Sequence, residues 1–366
     1  FLLTNDIGPL TTGYDTHASS TANSGAGWLP IPTFEGVLDG NGFEISGLYI
    51  VSDMDEVGLV GVLMGSSGAI ENIGVSNANV TAGNQTMHAS VLVAYMTSAQ
   101  IRNSYVIDSY LSYGADTRGA GLLAGSVYYG SIEQSFTSGS VERKVSAVLI
   151  QNDAGGLVGL LYASSLKASY SHAVLTGDEQ SNFNVGGLVG KVDGFYPNEG
   201  IVINSFSTNK ASEVTTNGET FNGPIGGLGS SFVITDVYWD KQRSNAPTDN
   251  IGGTTELETI QMYGASASTN MNALDYTNDW SMVSEGDVFA DGTVAVSDWY
   301  PILRSIPAEP QLRGLQNTMS LEITVNSNDL DIALPARGAI DATIYWGDGI
   351  YTDVSNTNQT TDILHT

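Results

Sequence analysis

The sequence holds no cysteine, which rules out a disulfide framework and any thiolate-held metal, and leaves the redox compartment unread. Basic residues are scarce: 12 Lys and Arg stand against 39 Asp and Glu, a formal charge of −27. A surface of that sign repels nucleic acid and anionic lipid headgroups, so neither is an expected partner. No run of about 18 apolar residues occurs, hence no membrane span is expected in this segment. Helix-forming runs are few, and no signal peptide is visible. The chain opens on Phe1 as if in mid-strand, which reads as a mature product or a segment of something longer. What is abundant is glycine, 43 residues, among Ser, Thr, Asn, Val and Ile. That mixture points to β-structure with many turns.

The glycines are organised. Gly155–Gly177 (GGLVGLLYASSLKASYSHAVLTG) recurs as Gly186–Ala211 and as Gly119–Val141, with weaker copies opening at Gly58 and Gly226. Each copy begins with a Gly-Leu pair and ends in a strand of the pattern apolar–x–polar–x–aromatic. Aligned, these strands are Ile101/Asn103/Tyr105, Ile132/Gln134/Phe136, Leu166/Ala168/Tyr170, Val202/Asn204/Phe206 and Ile234/Asp236/Tyr238. The aromatic recurs at intervals of 31, 34, 36 and 32 residues. A constant strand with unequal spacing predicts stacked coils joined by loops of differing length.

DGNGFEISGLYI (residues 39–50), the GLVG at Gly58–Gly61 and the later GGLVG copies resemble the GLUG repeats of bacterial surface proteins and adhesins. The likeness covers roughly residues 1–245. Two copies depart from it: His88–Met96 lacks paired glycines and Gly226–Ser231 loses the Val-Gly ending, so distorted coils are expected there. The resemblance implies an extracellular, non-enzymatic module continuing into further modules. The fold expected is all-β: a parallel, right-handed β-helix or solenoid over 1–245, a C-terminal cap and linker over 246–311, and a small antiparallel β module over 312–366. Trp28 and Phe34 are expected to close the open end of the first coil.

Alternation along a strand puts the first, third and fifth residues of I-x-N-x-Y on one face, predicting interior columns of Ile and of aromatics. The middle column (Asn72, Asn103, Gln134, Ala168, Asn204, Asp236) reads either as an amide ladder or as corner residues facing water. The paired glycines read as bends needing special backbone angles. Outward columns Glu71, Arg102, Glu133, Lys167 alternate in sign, as stacked ion pairs would. Their functional rival is an acid/base patch on a carbohydrate-cleaving β-helix. A Ser column (104, 135, 169, 205) reads as a flat outward strip.

Beyond residue 245, a short helix is expected at Glu256–Tyr263 with Thr254 or Thr255 as N-cap. Trp280, Phe289, Trp299 and Tyr300 are expected to form the core of the cap, and Ile306–Pro310 a stiff linker. The alternating MSLEITV and AIDATIYWGDGIYTDV stretches resemble the opening half of Ig-like or polycystic-kidney-type surface modules, with Trp346–Gly349 as the turn.

Chemistry is hard to find. His17, His88, His172 and His365 lie far apart and outside any ligand spacing, and His172 reads as an exposed loop residue. No nucleophile elbow, P-loop or dinucleotide fingerprint occurs. No catalytic or cofactor-binding residue is assigned, and the metal sites are unknown. The only ion considered is Ca²⁺, at Asp53/Asp55/Glu56, Asp287/Asp291 or Asp329/Asp331. Sequons stand at Asn79, Asn84 and Asn358. The functional expectation is a rigid stalk or presentation surface at the cell surface. Its partner would be an environmental or host surface, a glycan or another surface protein. Polysaccharide binding or cleavage is the alternative, and ice or crystal binding a third reading.

Overall fold

The computed structural model describes residues 1–144, 152–176, 183–211, 223–244 and 251–316, plus four strands between 332 and 365. The chain divides into two compact units, Phe1–Gln316 and Asn317–Thr366. The first is a right-handed parallel β-solenoid. Each coil runs through a short strand on face C, a longer one on face B, and a bent run of strands on face A. Face B stacks seven strands in chain order, from Ile31–Phe34 to Ile225–Leu228. Face C stacks five, and face A collects seventeen. Equivalent residues meet as predicted: Ile101 lies between Ile70 and Ile132, and Tyr105 pairs with Phe136. The His88–Met96 coil, expected to be distorted, keeps full register with its neighbours on faces B and C.

The aromatic column, however, is on the outside. Asn72, Asn103, Gln134, Ala168, Asn204 and Asp236 all take a left-handed backbone, φ between 45° and 56°. One such residue is a corner, and it breaks the two-residue alternation. Ile101 points in before the bend; Ser104 and Val106 point in after it, and both are fully buried. Tyr105 therefore points out. The Ser column, expected as an outer strip, lines the interior instead. Each hydroxyl donates to the carbonyl two residues earlier, as Ser135 does to Glu133 at 2.9 Å. Each also accepts an N–H from the preceding coil, as Ser135 does from Ser104 at 3.3 Å. The serines thus satisfy backbone groups that the bend removes from the sheet ladder. The amide ladder exists for two rungs, Asn103 to Asn72 (3.1 Å) and Asn72 to Asp39 (3.0 Å). Gln134 leaves it to donate to Asp279 at 2.7 Å.

The paired glycines answer to crowding rather than to backbone angle, since Gly155, Gly156 and Gly159 have no positive φ. A Cβ on Gly159 would sit within 2.7 Å of backbone atoms of Ala120, Gly125 and Asp153. Faces B and C meet there backbone to backbone, an approach that only glycine permits at this position.

Residues after 253 first continue the stack and then return along its side. Thr254–Leu257 pairs with the strand Phe232–Asp240. The helix expected at 256–263 is replaced by that strand and by a 3₁₀ turn, Thr259–Met262, capped by Glu258 in a reciprocal box with Gln261. From there to Gln316 the chain forms a strap over the outward aromatic column, and Met262, Trp280, Tyr300, Leu303 and Ile306 pack on Tyr105, Phe136, Tyr170, Phe206 and Tyr238. Trp280 and Tyr300 are fully buried, as expected of a cap core, but at the side of the rod. The expected linker instead starts a helix, Ala308–Gln316, with Pro310 tolerated in its first turn. Asp291 accepts the Glu309 N–H at 2.9 Å and serves as a cap borrowed from the strap. At the N-terminal end, Trp28 donates to the Leu59 carbonyl (3.0 Å) and Phe34 packs against Phe1.

Arg313 locks this helix to the first coils, 3.1 Å from Glu44 and 2.9 Å from Glu309. Glu44 also accepts from Ser76 and from the Tyr105 hydroxyl. Arg313→Ala leaves Glu44, largely enclosed, without its cation. We expect a loss of about 1–3 kcal/mol and faster proteolysis near residue 313, read by urea unfolding and limited trypsin digestion elsewhere in the strap.

In the second unit Ile332–Leu334 pairs with Ile363–His365, and Gly338–Tyr345 with Tyr351–Gln359, both antiparallel. Trp346–Gly349, Asp329, Asp331 and Thr360 lie outside the described residues.

Candidate interaction surface on face B

Where face C folds onto face B, the outer sides of the two strands face each other across a crease along the rod. Face C contributes Glu56, His88, Gly119, Asp153 and Asn184 in register. Face B contributes Val62, Tyr95, Ser126, Leu160, Lys191 and Gly227. Gly119 and Gly227 leave room for the opposite side chains, because a Cβ on either would strike Ser126 or Asn184. The crease is polar and paired. His88 Nδ1 lies 2.8 Å from Ser126 Oγ, Asn184 donates to Asp153 at 2.6 Å, and Lys191 meets Asp193 at 3.4 Å. Burial, then the nearby Arg118, pushes the His88 imidazole down to about 4. Burial pushes Asp153 up to about 6 against the pull of Asn184 and Lys191. Glu56 is raised by burial and by Asp55.

The next outward column of face B is Met64, Thr97, Tyr128, Tyr162 and Asp193. Tyrosine rings make a continuous path from it: His88 to Tyr95 (5.0 Å), Tyr95 to Tyr128 (5.4 Å), Tyr128 to Tyr162 (5.3 Å) and Tyr162 to Phe195 (6.3 Å). Tyr129 stands edge-on to Tyr162 and Phe195. Tyr129 is 50% exposed, Phe195 41% and Tyr196 86%. The strap covers the other aromatic column, whereas this one faces solvent.

None of these rings was singled out from the sequence. The available signal was the Tyr just before the corner in GSVYYG and GLLYAS, and the Tyr two residues further back in LVAYMT. The residues the sequence did offer are dispersed. Glu71, Arg102, Glu133 and Lys167 are register neighbours on face A, and Arg102 Nε reaches Glu71 Oε2 at 2.5 Å. Among the described residues no ion pair joins Glu133 to Lys167. His172 is not an exposed loop residue: its ring packs against Tyr170 (4.9 Å) and Tyr300 (5.2 Å), and Nδ1 lies 2.5 Å from Thr208 Oγ1. His17 is exposed at the end of a four-residue helix. Of the carboxylates considered for Ca²⁺, Asp287 and Asp291 accept backbone N–H groups of Ser284 and Thr293. No cluster of three or more His, Asp or Glu placed to hold a metal occurs among the described residues. Among the same residues, no helix is long and apolar enough to cross a membrane.

The fold thus defines a parallel β-solenoid built of glycine-rich repeats, with a side strap and an open tyrosine strip. The model of the GLUG motif matches residues 181–212, a range that contains the repeat Gly186–Ala211 and its Gly200–Ser207 strand. The chain is 28% identical over 346 residues to halomucin of Haloquadratum walsbyi, an alignment covering 85% of this chain. It spans 3% of that protein's length. Among solved structures, a candidate immunoglobulin A1 protease from Bacteroides ovatus matches at a TM-score of 0.42 and 15% identity. The match covers 84% of this chain and 86% of that one. A likeness that distant carries no argument about chemistry.

Proposed function

We propose that this chain is an extracellular structural module, a rigid solenoid segment of a larger surface protein that also presents an adhesive face. The observation supporting it most is the unbroken stacking of seven face-B strands, roughly 30 Å of rod at one strand spacing per coil. Each coil buries its apolar columns against its neighbours, so the stack transmits load along a continuous core. The GLUG match and the likeness to halomucin support a place outside the cell. The −27 charge keeps such a rod soluble and self-repelling. The cleavage alternative finds little support, because Arg102 and Glu71 are engaged with each other and Glu133 is exposed to solvent.

Two measurements test the proposal. Beads carrying the chain are expected to be retained under flow on polysaccharide-coated glass more strongly than albumin beads. Incubation with neutral and acidic polysaccharides is expected to release no reducing ends. Turnover that disappears in a folded Arg102→Ala or Glu133→Ala variant would replace the structural reading with an enzymatic one.

A further inference from the structure

The geometry points to a neutral polysaccharide chain as the occupant of the face-B strip, an inference that deepens the adhesive reading above and rests on it. The first ground is Tyr129. It occupies a corner with φ 54°, a backbone that a bulky side chain rarely adopts. Neighbouring coils fill that corner with Gly65, Ser98 and Ala163, also at positive φ. The bend therefore does not call for a large residue, and a strained aromatic held half in solvent is a mark of function rather than of folding.

The second ground is the chemistry around it. Tyrosine offers a rigid ring and a hydroxyl at small entropic cost, and Tyr95, Tyr128, Tyr129 and Tyr162 repeat that unit along the rod. Sugar rings present C–H faces to aromatic rings and hydroxyls to polar groups, and the crease beside the strip offers both kinds. The partly exposed Asp193 accepts, Lys191 donates, and the Asn184 side-chain oxygen accepts; Asp153 lies buried behind Asn184.

Charge selects among occupants. A polyanion meets a chain of net −27, and so does a second copy of this chain. A polycation would be drawn by the net charge but finds the carboxylates beside the rings already engaged, Asp193 by Lys191 and Asp153 by Asn184. An uncharged polymer meets neither obstacle. The path of ring contacts crosses four coils, a length that accommodates several sugar units of an extended chain.

Affinity electrophoresis through gels containing hydroxyethyl cellulose, xyloglucan or galactomannan tests this, with alginate and polygalacturonate as acidic counterparts. The wild-type chain should be retarded by at least one neutral polymer and by neither acidic one. Tyr128→Ala/Tyr162→Ala should weaken that retardation at least tenfold. Tyr129→Gly should weaken it severalfold while the urea midpoint stays level or rises, since glycine relaxes the corner. Arg102→Ala, on face A, should be retarded like wild type. Equal retardation of the tyrosine variants, retardation by acidic polymers only, or sedimentation as a dimer that the variants abolish would overturn the assignment. If wild-type and tyrosine-variant beads adhere equally under flow, the strip assignment fails and the adhesive reading stands. If neither adheres, the adhesive reading fails as well.

Discussion

Tyr170→Ala is expected to cost about 4 kcal/mol of stability, whereas Tyr170→Phe costs about 1. Tyr170 is fully buried and stacked between Phe136 (4.9 Å, 11°) and Phe206 (5.0 Å, 3°), with Trp280 against its edge at 5.9 Å. Truncation removes a ring from the middle of a column whose neighbours are fixed by the sheet, at the strand spacing, so the cavity cannot collapse. It also removes the hydroxyl that donates to Gln311 at 3.0 Å. That loss alone is small, because Gln311 Oε1 keeps the Leu303 N–H at 2.7 Å, while its amide holds the carbonyls of Leu303 and Ile306. The two substitutions therefore separate packing from hydrogen bonding. Equilibrium urea unfolding checks the values, and limited proteolysis of the 300–316 region reports release of the strap. An alanine variant no less stable than Tyr129→Ala, at a half-exposed ring, would mean that the strap does not depend on the aromatic column.

The pairing of coils was legible because it rests on repetition. Ile101, Ile132 and Leu166 align in the sequence and stack in space, and only the register of the copies had to be read. The direction of side chains was not legible, because it turns on a single backbone angle at each corner. Asn72, Asn103 and Asn204 carry the signal, since Asn is favoured in the left-handed region. Gln134 and Ala168 in the same column mask it. Once Tyr105 and its equivalents are placed outside, five aromatics need a cover, and the apolar stretch from Met262 to Leu312 supplies it. His172 follows Tyr170 by two residues, so it shares the outward side and lies beneath the same cover. Ending the strand at Tyr170 puts His172 in a loop, where the alternation that carries both to the same side is not applied to it. The open tyrosine strip was missed for a related reason: its rings flank corners held by Ser98, Tyr129 and Ala163, where no repeated residue marks the left-handed backbone.

Acid is expected to destabilise the solenoid through His172 in particular. Burial, with a smaller contribution from Arg243, pushes its imidazole down to about 3. The groups facing it are the rings of Tyr170, Phe206, Trp299 and Tyr300 and the Thr208 hydroxyl, none of which carries a compensating negative charge. A base whose folded value lies below its unfolded value, about 6.5, stabilises the fold fully above 6.5 and loses that contribution as pH falls toward 3. Between pH 6.5 and 4 the loss is on the order of 3 kcal/mol, at about 1.4 kcal/mol per unit. His88, lowered to about 4, loses a similar amount over the same range. Asp153 acts in the opposite sense. Its folded value of about 6 lies above the unfolded value near 3.9, so the fold gains stability as pH falls from 6 to 4. The two crease residues nearly cancel, leaving His172 as the net contribution. Asp39 and Asp291 are held below the usual range, Asp39 mainly by Asn72 and Asp291, despite burial, by backbone N–H groups of the 308–309 turn and Thr293. Their stabilisation is lost only below about pH 4. His172→Asn keeps a polar partner for Thr208 and removes the titration. Stabilities from urea unfolding at pH 7, 5.5 and 4 should fall by about 3 kcal/mol for wild type and by under about 1 for the variant. Parallel curves would show that the imidazole is not enclosed beneath the strap.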